Sequence, residues 1–305
     1  MGKPYCPGSN YDYVWGDDKM ISMNDLITVI IAIIVAPIVG GLLSGLDRII
    51  SARMQNRYGP PLLQPFYDFF KLLGKEKITV NQTQMVYAMG YLFFAVASLV
   101  MLVLKQDLLM LMFILAFSNI SLIMGAMSVR SPYSKIGAQR EIMQMMAYEP
   151  VLLLMVVGIY LITKSFMIDG ILNLSTPLLY HLPLVFLAFL YVLTIKLRKS
   201  PFDFSTSHHG HQELIKGLTT EFSGPQLAII ELTHWYDLVI LLGLISLFFA
   251  KPLWVGILIA LGSYFLELVI DNISARVTWK WMLKATWLIG IGAAATNIVW
   301  LYLSI

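Results

Sequence analysis

The chain has 305 residues, of which 58% are hydrophobic and only 13% are charged. Soluble domains carry roughly 25% charged residues, so this balance excludes an ordinary soluble domain and indicates an integral membrane protein. The net charge of +3 is too small to indicate nucleic-acid binding. The single cysteine, Cys6, excludes a disulfide within the chain and a cysteine-ligated cluster built from this chain alone.

A polar segment precedes the first apolar stretch. It carries Asp12, Asp17 and Asp18 where a secretory signal would carry positive charge, and the apolar stretch that follows is too long for a signal core. We therefore predict a polar N-terminal segment over 1–23 and a single transmembrane domain over 24–305.

A membrane-spanning helix needs about 20 mostly apolar residues. This criterion predicts an all-α integral membrane protein with about eight transmembrane helices. The predicted spans are 24–46, 85–104, 107–127, 141–163, 182–198, 226–249, 253–271 and 283–303. Only Lys105-Gln-Asp107 separates the second span from the third, so we expect these two helices to form a tight hairpin.

A short amphipathic segment follows the first span. Gly59-Pro-Pro61 breaks the helix, and the segment covers about 61–75. Its apolar residues recur at helical spacing, at Leu62, Phe66, Phe69, Phe70 and Leu73. Because Asp68 and Lys71 fall elsewhere on the helical wheel, the pattern predicts an interfacial helix. Such a helix lies at the membrane surface, packs against a partner subunit, or does both.

The basic residues are distributed unevenly between the two sides of the membrane. Sixteen of the 21 Lys and Arg residues lie in the connections after the first, third, fifth and seventh spans, which are also the long ones. The positive-inside rule therefore places these connections in the cytoplasm and both termini outside. The longest of them covers about 199–225.

Acidic residues lie in three of the predicted spans. On the fourth span, Glu141 and Glu149 are eight residues apart and project to within about 80° of each other. On the sixth, Glu231 and His234 are one turn apart, and Asp237 lies a further turn on but rotated away. No cation on the same helix lies one turn deeper than Glu149 or Glu231.

On the seventh span, Glu267 and Asp271 form an i,i+4 pair. A charge at mid-bilayer costs about 2.5–3.5 kcal/mol on insertion scales, so retained acids usually face a partner or water. Two interpretations follow. Each acid is held in an interhelical ion pair or at a helix end, or the acids of three helices line a hydrated path that relays protons or binds sodium.

The long connection between the fifth and sixth spans combines acids with histidines. The acids are Asp203, Glu213 and Glu221, and the histidines are His208, His209 and His211. Neutral imidazole suits zinc or nickel. Without helical i,i+4 spacing or an evident fourth ligand, however, proton handling near neutral pH or contact with a docked partner is the favoured use.

Six motifs occur along the chain in a characteristic order. They are Arg53-Met-Gln-Asn-Arg57-Tyr-Gly-Pro, Gly137-Ala-Gln-Arg140-Glu…Tyr148-Glu149, Ser200-Pro-Phe-Asp203, Glu213-Leu-Ile-Lys-Gly, Glu221-Phe-Ser-Gly and Ala275-Arg276. In this order the chain resembles the membrane subunit of respiratory complex I that forms the floor of the quinone site. It equally resembles the homologues of that subunit in membrane-bound nickel–iron hydrogenases. The resemblance covers about residues 24–303.

Three details make the resemblance closer to the hydrogenases. Glu141 stands where complex I members usually have a small residue, and Pro150 stands where they typically have an aliphatic one. The complex I pattern has two further acids between the positions of Asp203 and Glu213, whereas this connection is longer and holds the three histidines. With Ile230-Glu-Leu-Thr-His-Trp-Tyr236 after it, the connection resembles that of Ech-type energy-converting hydrogenases.

The resemblance implies a membrane anchor and ion-coupling subunit in the cell membrane. It would link ferredoxin-driven hydrogen evolution, or the reverse reaction, to proton or sodium translocation. The implied partners are the hydrogenase large and small subunits, an iron–sulfur subunit and an antiporter-like membrane subunit, with ferredoxin as electron donor to the complex. The nickel–iron centre and iron–sulfur clusters would belong to those partners, so this chain would bind no cofactor or metal and would hold no catalytic residue.

The resemblance also implies roles for individual residues. An ion relay is implied for Asp203, Glu213, Glu221 and Glu149, with Glu141 and Glu231 as additions. Physical reasoning alone adds His234, Asp237 and Glu267. Motif or partner-docking roles fall on Arg53, Arg57, Arg140, His208, His209, His211 and Arg276.

Three other functions stay open at this stage. One is the quinone-site membrane subunit of a complex I-type NADH or other donor:quinone oxidoreductase, against which the missing acids of the connection count. A second is a free-standing ion transporter, although transporters commonly show internal repeats and this sequence shows none. The third is a structural scaffold without an ion path.

Overall fold

A computed structural model of the chain describes residues 22–76, 78, 81–174, 176–199, 202, 217–275 and 277–304. Several residues singled out from the sequence lie outside this described part. They are Cys6, Asp203, His208, His209, His211, Glu213 and Arg276.

The described residues form twelve α-helices. In chain order they are α1 (Met23–Met54), α2 (Gln64–Leu73), α3 (Thr83–Val103), α4 (Leu108–Met127), α5 (Pro132–Thr163), α6 (Ile168–Leu172), α7 (Leu178–His181), α8 (Pro183–Lys196), α9 (Pro225–Ser246), α10 (Leu253–Ile273), α11 (Trp279–Ala285) and α12 (Gly292–Ser304). A π-helical segment, Thr286–Ile291, joins the last two. Single 3-10 turns lie at Gly217–Thr219 and Leu247–Phe249.

Within the described part of the chain, seven helical stretches are long and apolar enough to cross a membrane. They are α1, α3, α4, α5, α9 with its 3-10 extension, α10, and the continuous stretch from α11 to α12. The predicted all-α membrane fold is therefore confirmed. The eighth predicted span, 182–198, is shorter than expected. α8 has 14 residues, or about 21 Å at 1.5 Å per residue, against a bilayer core of about 30 Å.

Two predicted boundaries differ from the structure. α1 continues past residue 46 to Met54, because neither glycine nor proline interrupts this stretch, and the chain turns only at Asn56, whose φ is 56°. α5 begins at Pro132 instead of residue 141, since proline at the first position of a helix loses no hydrogen bond. The interfacial helix predicted over 61–75 is α2, with ten residues.

The hairpin of α3 and α4 is confirmed. The Asp107 side chain accepts hydrogen bonds from the first N–H groups of α4, at 2.8 and 3.1 Å, and so caps that helix. Within the hairpin, the Ser118 hydroxyl on α4 donates to the Tyr91 carbonyl on α3 at 2.9 Å. Interhelical bonds of this kind hold membrane helices close together, and this one fixes the backbone of Tyr91.

An asparagine on α12 holds the start of α8. The Asn297 Oδ1 atom accepts hydrogen bonds from the N–H groups of Leu184 and Val185, at 2.9 and 3.2 Å. Its Nδ2 atom donates to the His181 carbonyl at 3.2 Å, and Asn297 is only 1% exposed. The first N–H groups of a helix have no partner within it, and lipid offers none. Asn297 therefore fixes the depth of α8 in the bundle.

Glycines on α1 allow two close helix contacts. A Cβ atom at Gly40 would lie 2.4 Å from the Trp235 carbonyl oxygen on α9. A Cβ atom at Gly45 would lie 2.1 Å from the Leu62 carbonyl oxygen, just before α2. Neither site leaves room for a side chain, so the end of α1 packs directly against α9 and the interfacial region.

One side of the bundle, here called the loop-rich face, is where α1, α4 and α10 end and α3, α5 and α9 begin. Side chains connect these helix ends. The Gln55 Nε2 atom donates to Asn272 Oδ1 at 3.1 Å, and the Asn81 Nδ2 atom donates to the Ser128 carbonyl at 3.2 Å. Because the helices alternate in direction, α3 and α9 run parallel, away from this face.

Candidate functional site

Polar side chains from α1, α3, α4, α5, α9 and α10 and from the end of α8 converge on a cavity of about 100 Å³. Its charged lining consists of Asp47, Glu141, Glu231, Asp237, Lys196, Arg198 and Lys199. Its other polar lining consists of Ser44, Tyr91, Asn119, Gln144, Tyr148, His234 and Tyr264. A cavity of this size and polarity has room for a few water molecules.

A line of hydrogen bonds, here called the polar chain, joins Glu141, Arg198, His234, Tyr91 and Asp237. The Arg198 Nη2 atom donates to Glu141 Oε1 at 3.1 Å, and its Nη1 atom lies 3.1 Å from His234 Nε2. The His234 Nδ1 atom lies 3.0 Å from the Tyr91 hydroxyl, which donates to Asp237 Oδ2 at 2.7 Å.

The chemistry of arginine fixes the direction of this chain. A guanidinium group only donates, so His234 Nε2 must accept, and the neutral ring carries its proton on Nδ1. The Nδ1–H group then donates to the Tyr91 oxygen, whose own hydrogen points to Asp237. Donors therefore run in one direction from Arg198 through His234 and Tyr91 to Asp237.

The polar chain is shielded from the surroundings of the bundle. Tyr91 is 0% exposed and Glu141 is 7% exposed. In the Arg198–Glu141 ion pair, the two side chains are 11% and 9% exposed. Ionised groups survive such burial only when they are paired and hydrogen-bonded, as these two are.

A second group, here called the lysine cluster, lies on the α1 and α10 side of the cavity. It consists of Lys199, Asp47, Asp271 and Glu267. Lys199 is 8% exposed, donates to Asp47, and lies 3.6 Å from Asp271. Glu267 lies one turn before Asp271 and is 0% exposed, and neither of its carboxylate oxygens has a hydrogen-bond partner among the described residues.

The structure brings four of the predicted residues together. Glu141, Glu231, His234 and Asp237 all line the cavity. The expected rotation of Asp237 away from His234 does not separate the two side chains. Three residues of helix turn a side chain by only about 60° net, and the Tyr91 hydroxyl reaches both.

Other predicted residues lie outside the cavity lining. Glu149 lies further along α5, and its Oε1 atom has no hydrogen-bond partner within the described residues. Glu221 is half-buried at the loop-rich face, just before α9. Arg53 and Arg57 are exposed near the end of α1, where Arg53 stacks over the Tyr58 ring at 5.2 Å. Arg140 is half-buried on α5, next to Glu141.

Three important members of the site are absent from the sequence-based assignments. Arg198 and Lys199 counted there as basic residues of a cytoplasmic connection, whereas the short α8 places both against buried acids. The run of basic residues directly after a 14-residue apolar helix was the signal that could have found them. Tyr91 gave none, because a tyrosine in an apolar span usually packs by its ring alone.

Comparison with known proteins identifies the family. A sequence model described as NADH dehydrogenase matches residues 26–302. Formate hydrogenlyase subunit 4 of Escherichia coli is 30% identical over 68% of this chain and 70% of its own length. A membrane-complex relative from Syntrophotalea carbinolica, a subunit of NADH-quinone oxidoreductase, is 27% identical over 91% of this chain and 97% of its own length.

A solved structure agrees on the fold. A chain of the membrane-bound sulfane sulfur reductase, an archaeal respiratory membrane complex, superimposes with a TM-score of 0.83 and 24% identity. The match covers 92% of this chain and all of that one. Together with the sequence matches, it confirms the resemblance predicted from the motifs. The chain therefore belongs to the NADH dehydrogenase family, as a multi-pass membrane subunit of complex I-like or hydrogenase-type complexes.

Proposed function

We propose that this chain is the membrane anchor and ion-coupling subunit of an Ech-type energy-converting nickel–iron hydrogenase complex. It links ferredoxin-driven hydrogen evolution, or its reverse, to the movement of protons or sodium. The observation that carries the proposal is the polar chain, which joins buried groups of α3, α5 and α9 through the end of α8. Ionisable groups inside a membrane protein typically mark ion paths.

The proton-passing part of the polar chain is the run from His234 to Asp237. A proton hops along a chain only through groups that both donate and accept, and imidazole and phenol do both. Tyr91 gives its proton to Asp237 while it accepts one from His234. Neither link needs a charged intermediate larger than one proton, so the run conducts without moving its side chains far.

Arg198 connects this run to the charge on Glu141. The same guanidinium pairs with Glu141 and fixes the proton of His234 on Nδ1. Protonation of Glu141 weakens the ion pair and frees the arginine to move away from His234, whose Nε2 atom can then accept a proton. A change of charge on α5 thus alters the protonation of α9, which is the coupling that an ion-translocating subunit needs.

The partners follow from the same proposal. The loop-rich face lies in the cytoplasm, and the hydrogenase large and small subunits and an iron–sulfur subunit dock there, near Arg53, Arg57 and Arg140. An antiporter-like subunit packs beside this chain in the membrane. The nickel–iron centre and the iron–sulfur clusters, both on partner subunits, supply the electron transfer and hydrogen chemistry, and ferredoxin donates the electrons.

The test uses inverted membrane vesicles that contain the intact complex. Reduced ferredoxin drives hydrogen evolution, while a pH-sensitive dye and radioactive sodium report ion uptake. In Glu141→Gln and Asp237→Asn we expect hydrogen evolution to continue while ion uptake per hydrogen falls by about tenfold or more. Asp68→Asn, an acid on the interfacial helix, is the matched control. Unchanged coupling in both cavity variants would favour a scaffold without an ion path.

A quinone-linked complex is the second candidate, because relatives that are subunits of NADH-quinone oxidoreductases match nearly the whole chain. Nickel that co-purifies with the complex, together with turnover that resists quinone-site inhibitors, favours the hydrogenase. Quinone reduction without nickel favours the second candidate. Ion transport by this chain alone in liposomes would contradict both and indicate a free-standing transporter.

A further inference from the structure

Two glutamines are fully buried at the start of parallel helices. Gln84 lies in the first turn of α3 and Gln226 in the first turn of α9, and both are 0% exposed. Among the described residues, neither the amide nitrogen nor the amide oxygen of either side chain has a hydrogen-bond partner. Four unbonded amide atoms are unusual in a helix bundle, where buried polar groups are almost always bonded.

The two glutamines are in line with the polar chain. Gln84 precedes Tyr91 by seven residues and Gln226 precedes His234 by eight, so each lies two turns before its partner on the same helix face. Because α3 and α9 run parallel and Tyr91 meets His234 at 3.0 Å, the two glutamines share one layer. Ile230, one turn beyond Gln226, packs in the same apolar cluster as Tyr91.

An unbonded amide atom in this layer costs about 1–3 kcal/mol. Internal water removes that cost, since a buried water makes about three hydrogen bonds to polar groups that otherwise lack partners. We propose that Gln84 and Gln226 bind internal water between them, and that this water extends the polar chain from Tyr91 and His234 to the loop-rich face. The extension rests on the proposed ion-coupling function, but the water binding does not.

Glutamine suits this task. Its amide both donates and accepts, so it orients a water molecule in either direction. It does not titrate, and therefore neither traps the proton nor fixes a counter-ion. Gln84 and Gln226 are positioning residues in this scheme, and the water between them carries the proton.

Radiolytic footprinting of the intact complex in isotope-labelled water tests the binding directly. Hydroxyl radicals formed on bound water oxidise adjacent side chains even when these are buried. We expect labelling of Ile230 and Phe222, which are 0% and 3% exposed and pack in this layer. Phe189 and Phe248, each 1% exposed in the larger apolar core, serve as dry references and stay unlabelled.

Variants then assign the water to the glutamines. Gln84→Leu and Gln226→Leu keep the volume but remove the amides, and each is expected to abolish the labelling of Ile230. Ser98→Ala on the same helix is the matched control, because that buried hydroxyl is already bonded to the Phe94 carbonyl at 2.9 Å. Gln84→Asn and Gln226→Asn, which keep the amide, retain the labelling and serve if a leucine variant does not assemble.

Thermal stability gives a second readout of opposite sign for a dry and a wet layer. If the amides are dry, leucine removes unbonded polar groups and raises the unfolding midpoint of the complex. If water joins them, leucine leaves the water and the other amide short of a partner, and the midpoint falls. Unlabelled Ile230 in the unaltered complex, or a raised midpoint in both leucine variants, would overturn the proposal.

Vesicle assays separate this inference from the proposed function. Loss of labelling together with loss of ion uptake per hydrogen supports both. Loss of labelling with unchanged ion uptake leaves the water site intact and overturns its role as an extension of the polar chain. Unchanged uptake in the Glu141 and Asp237 variants overturns the proposed function alone.

Discussion

The polar chain and the lysine cluster use the same kinds of residue for different ends. Both take a basic side chain from the end of α8 and place it against buried acids on other helices. In the polar chain, the neutral side chains of His234 and Tyr91 stand between the charged groups. In the lysine cluster, Lys199 meets Asp47 and Asp271 directly. The first arrangement provides a route for protons, and the second fixes helices.

The difference follows from what each group can do. An ammonium group only donates, so Lys199 cannot pass a proton without losing its charge. Its two ion pairs instead join α8 to α1 and α10. Tyrosine and neutral histidine donate and accept at once, and the polar chain uses both. A buried ionic group is therefore an ion path only where amphoteric side chains or water connect its charges.

Removal of the arginine should have the largest effect. Arg198→Leu takes the cation from Glu141, and breaking one side of a buried ion pair costs about 3–5 kcal/mol. We expect a poorly assembled complex with a much lower unfolding midpoint. The double variant Arg198→Leu/Glu141→Leu should recover most of the loss, since it removes both charges. Thermal unfolding of the purified complex measures both, and an undiminished midpoint in the single variant would contradict the buried pair.

Lys199→Leu extends the comparison to the lysine cluster. Its loss of stability should be of the same order, because Lys199 balances two acids. Recovery should require neutral replacements at both Asp47 and Asp271, whereas Arg198 needs only one. Thermal unfolding of the single, double and triple variants checks this. If a single replacement sufficed, Lys199 would serve one acid alone.

Tyrosine replacements separate conduction from stability. Tyr91→Phe keeps the ring but removes the hydroxyl between His234 and Asp237, at a cost of about 1 kcal/mol. We expect ion uptake per hydrogen to fall by about tenfold or more, while hydrogen evolution continues. Tyr264→Phe is the matched control on the lysine cluster side, because its hydroxyl makes only a 3.5 Å contact with the Leu43 carbonyl. Equal effects in the two variants would remove the distinction between the regions.

The sequence predicted most of the fold because hydropathy and turn residues act locally. The hairpin at Lys105-Gln-Asp107 and the helix after Gly59-Pro-Pro61 depend only on neighbouring residues. The depth of α8 depends instead on Asn297, which is more than one hundred residues further along the chain. No local pattern carries that information, so the predicted fifth span was too long.

The candidate site was predictable only in part, for the same reason. Glu141, Glu231, His234 and Asp237 stood out as ionisable residues in apolar spans. Their partners did not, since Arg198 follows a helix whose length was overestimated. The histidine tautomer and the direction of the chain depend on contacts between helices, which spacing along one helix cannot supply.

An exposed ion pair on the interfacial helix gives the smallest expected effect and calibrates the buried ones. The Arg48 Nη1 atom lies 2.8 Å from Asp68 Oδ2, with side chains 39% and 42% exposed. Burial alone would raise the pKa of Asp68, but hydrogen bonds from Arg48 and Gln64 and the Arg48 charge outweigh it, so this pKa is lowered. A lowered pKa means that the pair stabilises the fold above the ordinary aspartate range and loses this effect as the pH falls through the lowered value.

Solvent screens such a pair, so Asp68→Asn should lower stability by less than about 1 kcal/mol at neutral pH. The difference from the unaltered chain should shrink in high salt and vanish in strong acid, where Asp68 is protonated. Unfolding midpoints measured across pH and salt check this. A loss as large as that of Arg198→Leu would show that the interfacial helix is held in a buried contact with a partner subunit instead of at a wet surface.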